Sequence, residues 1–283
     1  MENKRRLIVL IAPPAIVLAI FFLAPLVIML LYSFKDSTFG PMLPLSVKHY
    51  MIFLQTPSFF RLLLDSSKLS FLTAALSILM AFPVAYFLVF YTGARRIILL
   101  TLLILPAWTS FLLRVLAWKV ILGSNGLLNQ LLISVGLISE GAPILLYSQS
   151  AVLITLVYVW IPFAALPLFA AMERIDPRLH EAAQDLGASP AQTFWRVTLP
   201  LTLPGMASAF FFVFIPTLGE WVTPTLVGGV SGIMYGNLIQ DQFARALNWP
   251  LGALLSVVLL VLVAAFSYVF NRFIPITEVP VST

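Results

Sequence analysis

Apolar runs of bilayer length constrain this chain more than any other feature of its sequence. The runs lie near residues 7–32, 69–91, 97–121, 149–172, 203–225 and 250–271. About 20 helical residues cross the hydrocarbon core of a bilayer, and backbone groups in lipid must be hydrogen-bonded within the protein. With 61% hydrophobic and 10% charged residues, the chain falls outside the composition of soluble globular domains. We therefore predict an all-α polytopic membrane protein with six transmembrane helices, built as a single domain over residues 1–283.

The N-terminal run could be mistaken for a secretory signal peptide, because it follows Lys4, Arg5 and Arg6. Its apolar stretch is about 25 residues long, well beyond the roughly 15 residues of a signal core, so we expect a retained anchor helix. The chain has 0 cysteines, which excludes disulfide bonds and thiolate metal sites.

Basic residues predict the orientation of the chain in the membrane. Six spans place both termini on one side, together with the loop at about 173–200. That side carries Lys4, Arg5, Arg6, Arg95, Arg96, Arg174, Arg178, Arg196 and Arg272, and the other side carries Lys35, Lys48, Arg61, Lys68 and Arg245. Because cytoplasmic loops carry the excess of Lys and Arg, we expect the termini and this loop in the cytoplasm. Basic residues beside anionic membrane lipid also explain the net charge of +5 without a nucleic acid partner.

The cytoplasmic loop carries a polar pattern between two apolar runs. Residues 181–187 read Glu-Ala-Ala-Gln-Asp-Leu-Gly, and after nine further residues 197–200 read Val-Thr-Leu-Pro. Asp176-Pro177 offers an N-cap and a first-turn proline, Gly187 can end a helix, and Ser189-Pro190 can cap the next one. The pattern predicts a helix-turn-helix outside the bilayer. The alternative is an amphipathic solvated hairpin, since Glu and Ala are ordinary helix formers.

This spacing resembles the cytoplasmic loop of the membrane subunits of binding-protein-dependent ABC importers. Their pattern ends in Ile, one residue and Leu-Pro, and this chain departs from it with Val197. The resemblance implies the type I ABC importer fold, in which the loop forms coupling helices that insert into a groove of the ATPase. ATP is then bound by a partner subunit, and this chain has no cofactor of its own. The resemblance assigns the coupling role to Glu181, Ala182, Ala183, Gly187 and Pro200.

Further stretches resemble the spermidine/putrescine branch of the importer permeases. They are Pro106 to Lys119, Gly126 to Asn129, Gly219-Glu220, Gly228-Gly229, Ile233-Met234, Gly236, Gln242-Phe243 and Asn248-Trp249-Pro250. The resemblance implies a permease subunit of the bacterial inner membrane. Its implied partners are a second homologous permease subunit, a dimer of ATP-binding cassette ATPases and a periplasmic solute-binding protein. The implied solute is a polyamine, while permeases of this branch also serve opines, other amines and organic anions.

Proline and glycine interrupt the fifth run. Residues 216–221 read Pro-Thr-Leu-Gly-Glu-Trp, so a continuous helix is not expected there. Broken helices at this depth line wet cavities in transporters. Glu220 and Trp221 would offer a carboxylate and an aromatic face to a cationic amine, and we predict both as part of the substrate path. The alternative is that Glu220 pairs with Arg114 or Lys119 of the third run and only holds helices together.

The third run carries two cations near its outer end. Arg114 and Trp118 lie four residues apart, so they can stack on one helix face. A polycation in transit would be repelled by both Arg114 and Lys119. A structural role for Arg114 is therefore favoured.

Functions from other classes lack the residues that they require. Residues 229–232, Gly-Val-Ser-Gly, resemble the nucleophile motif of rhomboid intramembrane serine proteases, but His49 and His180 both lie outside the predicted spans. A helical zinc motif beginning at His180 is incomplete, because Gln184 stands where the second histidine is needed. No glycine precedes a lysine, so the phosphate-binding loop of ATPases is absent. A channel or an ion-coupled carrier gives no reason for the pattern over 181–200.

Overall fold

The computed structural model describes residues 2–138 and 146–273, and helices form all the regular structure in these ranges. The α-helices are α1 (Glu2–Leu18), α2 (Ala24–Ser33), α3 (Lys48–Gln55), α4 (Pro57–Tyr91), α5 (Arg96–Ile104), α6 (Phe111–Leu122), α7 (Leu127–Ser134), α8 (Gln149–Glu173), α9 (Pro177–Asp185), α10 (Pro190–Thr193), α11 (Leu199–Leu218), α12 (Tyr235–Ala244) and α13 (Trp249–Phe273). The π-helical turns Ala19–Leu23 and Phe194–Thr198 join α1 to α2 and α10 to α11. A third π-helical turn is Pro224–Gly228, and 3₁₀ turns cover Gly93–Arg95 and Leu105–Trp108.

Six helical segments are long and apolar enough to cross a membrane. They are Val9–Ser33, Pro57–Tyr91, Phe111–Ser134, Gln149–Glu173, Pro190–Leu218 and Trp249–Phe270. The prediction of an all-α chain with six membrane helices is therefore confirmed. The second helix begins at Pro57 rather than near 69, because proline is well accommodated in the first turn of a helix.

The third span differs from its prediction. The predicted run over 97–121 is interrupted by the 3₁₀ turn Leu105–Trp108, which separates α5 from α6. Pro106 has no N–H and its ring crowds the preceding turn, which favours a break in the α-helix at this position. The apolar span is instead Phe111–Ser134. Arg114 consequently lies in the first turn of α6, at the beginning of this span and not near its end.

The chain forms two compact units, and the first combines residues up to Arg61 with Leu238–Ala264. In this unit Thr38 connects segments that are distant in sequence. Its Oγ1 donates a hydrogen bond to the Leu247 carbonyl at 2.6 Å and accepts one from the Trp249 N–H at 3.0 Å. The ring of Tyr32 lies 6.5 Å from that of Trp249, which adds an aromatic contact to the same connection. The prediction of one domain over residues 1–283 stays a prediction.

The second unit comprises Leu62–Asn237 and the chain from Ala265 onward, and α8 packs against α11 in its centre. Gly205 permits this close approach, because an added Cβ would lie 2.3 Å from Cβ of Ala171 and 2.9 Å from the Pro167 carbonyl oxygen. Small residues at a helix contact let membrane helices approach each other closely. The same unit contains a cluster of buried side chains, formed by Leu69, Val115, Leu122, Ala151, Val152, Leu156, Val227 and Met234.

Candidate coupling loop and translocation site

Helix α9, the first helix of the predicted coupling loop, has a capping motif at each end. At its start the Asp176 side chain accepts a hydrogen bond from the Arg178 N–H at 2.9 Å, and Pro177 occupies the first turn. At its end Gly187 adopts a φ of 80°, its N–H donates to the Gln184 carbonyl, and the Ala188 N–H donates to the Ala183 carbonyl. This pair of bonds is a Schellman motif, which satisfies carbonyls left over at a helix end. The predicted boundaries of this helix are confirmed.

The second helix of the loop is not a separate element. Ser189 caps it, because its N–H donates to the Gln192 side chain at 2.8 Å and its Oγ accepts from the Gln192 N–H at 3.3 Å. From Pro190 the chain stays helical through α10, the π-helical turn and α11, as one segment Pro190–Leu218. The expected helix-turn-helix is therefore α9 followed by the start of the fifth membrane helix. Pro200 lies in the first turn of α11.

The outer surface of α9 presents the residues of the motif. Glu181 and Ala182 are exposed, Ala183 is half-buried, and Gly187 at the turn is exposed. Leu186 is 88% exposed, which is unusual for a large apolar side chain beside a tight turn. The exposed face of this helix thus combines small alanines with the carboxylates of Glu181 and Asp185, and an uncovered leucine follows at its end.

His180 attaches α9 to two membrane helices. Its Nε2 lies 3.0 Å from Oγ1 of Thr198, which is buried in the π-helical turn before α11. Its ring lies 5.1 Å from that of Phe90 near the end of α4. These contacts were not predictable from the sequence, because both join residues that are far apart in the chain.

The predicted break in the fifth helix is present, and Glu220 stands in it. The helix α11 ends at Leu218, and a new helical segment begins at Val222. One carboxylate oxygen of Glu220, Oε1, accepts hydrogen bonds from the N–H groups of Val222 at 2.8 Å and Thr223 at 3.0 Å. The side chain thus caps the new segment, as a capping residue satisfies the free N–H groups of a first turn.

Two expected contacts around Glu220 and Arg114 are not formed. Among the described residues, neither Arg114 nor Lys119 makes an ion pair with Glu220. Arg114 also does not stack on Trp118, whose ring contacts Tyr158 at 5.4 Å instead. The guanidinium carbon of Arg114 instead lies 5.9 Å from the ring of Phe111, in the same turn of α6.

A cavity of about 580 Å³ opens beside Arg114, and the sequence does not reveal it. It lies among α6, α8 and α11 and is lined by Phe111, Arg114, Val159, Trp160, Phe163, Ser208, Phe211, Phe212, Ile215 and Pro216. Two of its polar atoms, Nε of Arg114 and Nε1 of Trp160, are buried without an acceptor among the described residues. Trp221 is 44% exposed and is not among the lining residues, so the cavity and the predicted Glu220 and Trp221 path are distinct places.

The chain is similar to membrane subunits of transport systems along most of its length. Residues 4–276 match the family model of the binding-protein-dependent transport system inner membrane component. The chain belongs to this permease family. The permease is 37% identical over 258 residues to PotB of Haemophilus influenzae, a spermidine/putrescine transport system permease protein. The alignment covers 90% of this chain and 89% of PotB. The permease is 31% identical over 246 residues to YdcU of Escherichia coli, an inner membrane ABC transporter permease protein, with 83% and 78% covered.

A solved structure supports the fold of this permease. A bacterial ABC transporter involved in the import of the acidic polysaccharide alginate superposes with a TM-score of 0.72, at 21% identity, over 96% of this chain and 97% of that one. This likeness confirms the importer permease fold. Family membership also makes the chain a transport component of the inner membrane rather than an enzyme, so the protease alternative is wrong. Ser231, its candidate nucleophile, donates to the Tyr147 carbonyl at 3.4 Å.

Proposed function

We propose that this chain is the permease subunit of an importer for a small aliphatic amine, with spermidine or putrescine as the solute. The observation that carries the proposal is the 37% identity to a spermidine/putrescine permease along 90% of the chain. In this proposal a periplasmic solute-binding protein delivers the amine, and ATP hydrolysis on a partner subunit drives its passage. A second permease subunit completes the path.

The coupling residues are proposed to be Glu181, Ala182, Ala183, Gly187 and Pro200. The exposed face of α9 supports this role, because it offers small side chains and the Glu181 carboxylate to the ATPase, and the Schellman turn fixes its geometry. Pro200 supports the role differently, since it stands where the loop enters the fifth membrane helix. A displacement of α9 is therefore transmitted to a helix that crosses the membrane.

The proposed mechanism is alternating access. Closure of the ATPases moves α9 and its counterpart on the second permease, and the membrane helices rock so that the path faces the loaded binding protein. Glu220 and Trp221 remain the proposed outer part of the path. The Glu220 carboxylate offers a negative charge to an ammonium group, and the exposed Trp221 ring can contact the same cation.

Uptake by cells tests this function. Cells that lack the chain should lose ATP-dependent uptake of labelled spermidine and putrescine, and a plasmid copy should restore it. Glu181→Ala should abolish the restored uptake while the amount of chain in the membrane fraction stays the same. Asp185→Ala is the matched control, because Asp185 is an exposed carboxylate on the same helix but is not among the proposed coupling residues. Normal uptake by Glu181→Ala would contradict the coupling role, and unchanged uptake without the chain would contradict the polyamine assignment.

A further inference from the structure

The cavity among α6, α8 and α11 contains two hydrogen-bond donors that lack acceptors. The guanidinium of Arg114 has one weak contact, from Nη1 to the Val159 carbonyl at 3.5 Å, and its Nε is buried without an acceptor. Trp160 follows Val159 in α8, and its Nε1 is also buried without an acceptor among the described residues. None of the lining residues that the structure describes is acidic.

Such donors require an acceptor that carries negative charge. A buried polar atom without a hydrogen bond is costly, and the positive charge of the half-buried Arg114 side chain favours an anionic acceptor. Within membrane helices, an ionisable side chain of this kind marks a functional site by default. A carboxylate matches it, because two acceptor oxygens can meet an arginine and an indole N–H together.

The other walls of the cavity suit an alkyl ammonium group. Phe163, Phe211 and Phe212 line it, and the rings of Phe163 and Phe212 lie 6.1 Å apart. Pro167 in α8 and Pro216 in α11 lack an N–H, so the carbonyls of Phe163 and Phe212, four residues earlier, receive no α-helical hydrogen bond. Aromatic faces and free carbonyl oxygens are the groups that hold an ammonium ion in an apolar site.

We propose that this cavity binds a small amine that also carries a carboxylate. The carboxylate lies against Nε of Arg114 and Nε1 of Trp160, and the ammonium group lies toward the freed carbonyls of Phe163 and Phe212. The volume of about 580 Å³ is in the range of small-ligand sites. The inference rests on the proposed importer function and adds a second class of solute to it, because Arg114 attracts a carboxylate, which a diamine lacks.

Two solutes of the same carbon skeleton test the inference. Putrescine has an ammonium group at each end of four carbons, and 4-aminobutanoate replaces one of them with a carboxylate. Uptake of both labelled compounds is measured in cells that contain the complete transport system. We expect the chain to support uptake of 4-aminobutanoate. Arg114→Gln should raise the KM for 4-aminobutanoate about tenfold, the effect of losing one hydrogen bond to a charged group, and should leave the KM for putrescine unchanged or lower.

Further variants separate the cavity from a role in folding. Arg114→Lys should restore part of the 4-aminobutanoate uptake, because the positive charge is kept without the planar fork. Trp160→Phe should raise the KM for 4-aminobutanoate, because it removes the indole N–H and keeps an aromatic ring. Lys119→Gln removes a cation that does not line the cavity and should change neither solute.

The outcomes that contradict the inference differ from those that contradict the importer function. Chain-dependent uptake of putrescine with none of 4-aminobutanoate would overturn the inference and leave a polyamine importer. Equal losses of both solutes in Arg114→Gln, at normal amounts of chain in the membrane, would also overturn it. If neither solute nor spermidine depends on the chain, the proposed function itself is wrong.

Discussion

At the scale of single residues, Glu220 shows how a site residue can hold a structural task as well. Its carboxylate caps the helical segment that starts at Val222, where the fifth membrane helix has already ended. A neutral amide oxygen could accept the same two hydrogen bonds, so the cap does not require the charge. Stability and transport should therefore respond differently to two substitutions at this position.

We expect Glu220→Ala to lower stability and Glu220→Gln to leave it nearly unchanged. Loss of the cap costs about 1 kcal/mol, whereas the glutamine amide oxygen can still accept from Val222 and Thr223. Thermal unfolding of the purified chain in detergent measures this difference. Glu220→Gln should nevertheless lower amine uptake, if the charge contacts the solute. Equal destabilisation by both variants would show that the charge itself holds the break, and normal uptake by Glu220→Gln would remove Glu220 from the path.

At the scale of secondary-structure elements, His180 makes α9 part of the membrane domain. The imidazole contacts Thr198 at the base of α11 and Phe90 near the end of α4. His180 directly precedes Glu181 of the motif. The backbone turn at Gly187 also fixes α9, but it joins α9 only to the chain that follows. The ring contact between His180 and Phe90 therefore joins α9 to α4.

We expect His180→Phe and Thr198→Val each to reduce uptake about threefold to tenfold. This range corresponds to the free energy of one partly buried hydrogen bond. Phenylalanine keeps a ring beside Phe90 but loses the bond, and valine removes the hydroxyl at constant shape. Because both variants remove one interaction, the double variant should be no worse than either alone. Uptake per amount of chain in the membrane is the measurement. Thr101→Val, which removes an exposed hydroxyl bonded within its own helix, should have no effect. Additive losses at His180 and Thr198 would contradict the link.

Elements also show where sequence-based prediction succeeds and fails. The ends of α9 follow from Asp176, Pro177 and Gly187, because caps depend on residues within one or two turns. The six apolar runs predict spanning helices for the same reason, since length and composition are local. The cavity donors Arg114 and Trp160 were not predictable, because α6, α8 and α11 come together only in the folded chain.

At the scale of the whole molecule, orientation follows from charge and parity. An even number of spans places both ends on one side, and the side with α9 carries the excess of Lys and Arg. The proposed importer mechanism requires this orientation, because the proposed ATPase partner could reach α9 only from the cytoplasm. An inverted chain would leave the coupling residues facing the periplasm.

The absence of cysteine permits a direct test of this orientation. The chain has 0 cysteines, so a single introduced thiol is the only site for a maleimide. We expect a membrane-impermeant maleimide to label Ser37→Cys in intact cells, because exposed Ser37 lies in the loop predicted to face the periplasm. Ala191→Cys, exposed at the start of α10, should react only after the membrane is permeabilised. Both variants should retain uptake, which confirms that the labelled chain is the functional one. Labelling of Ala191→Cys in intact cells would reverse the orientation, and α9 could then not be the contact for an ATPase.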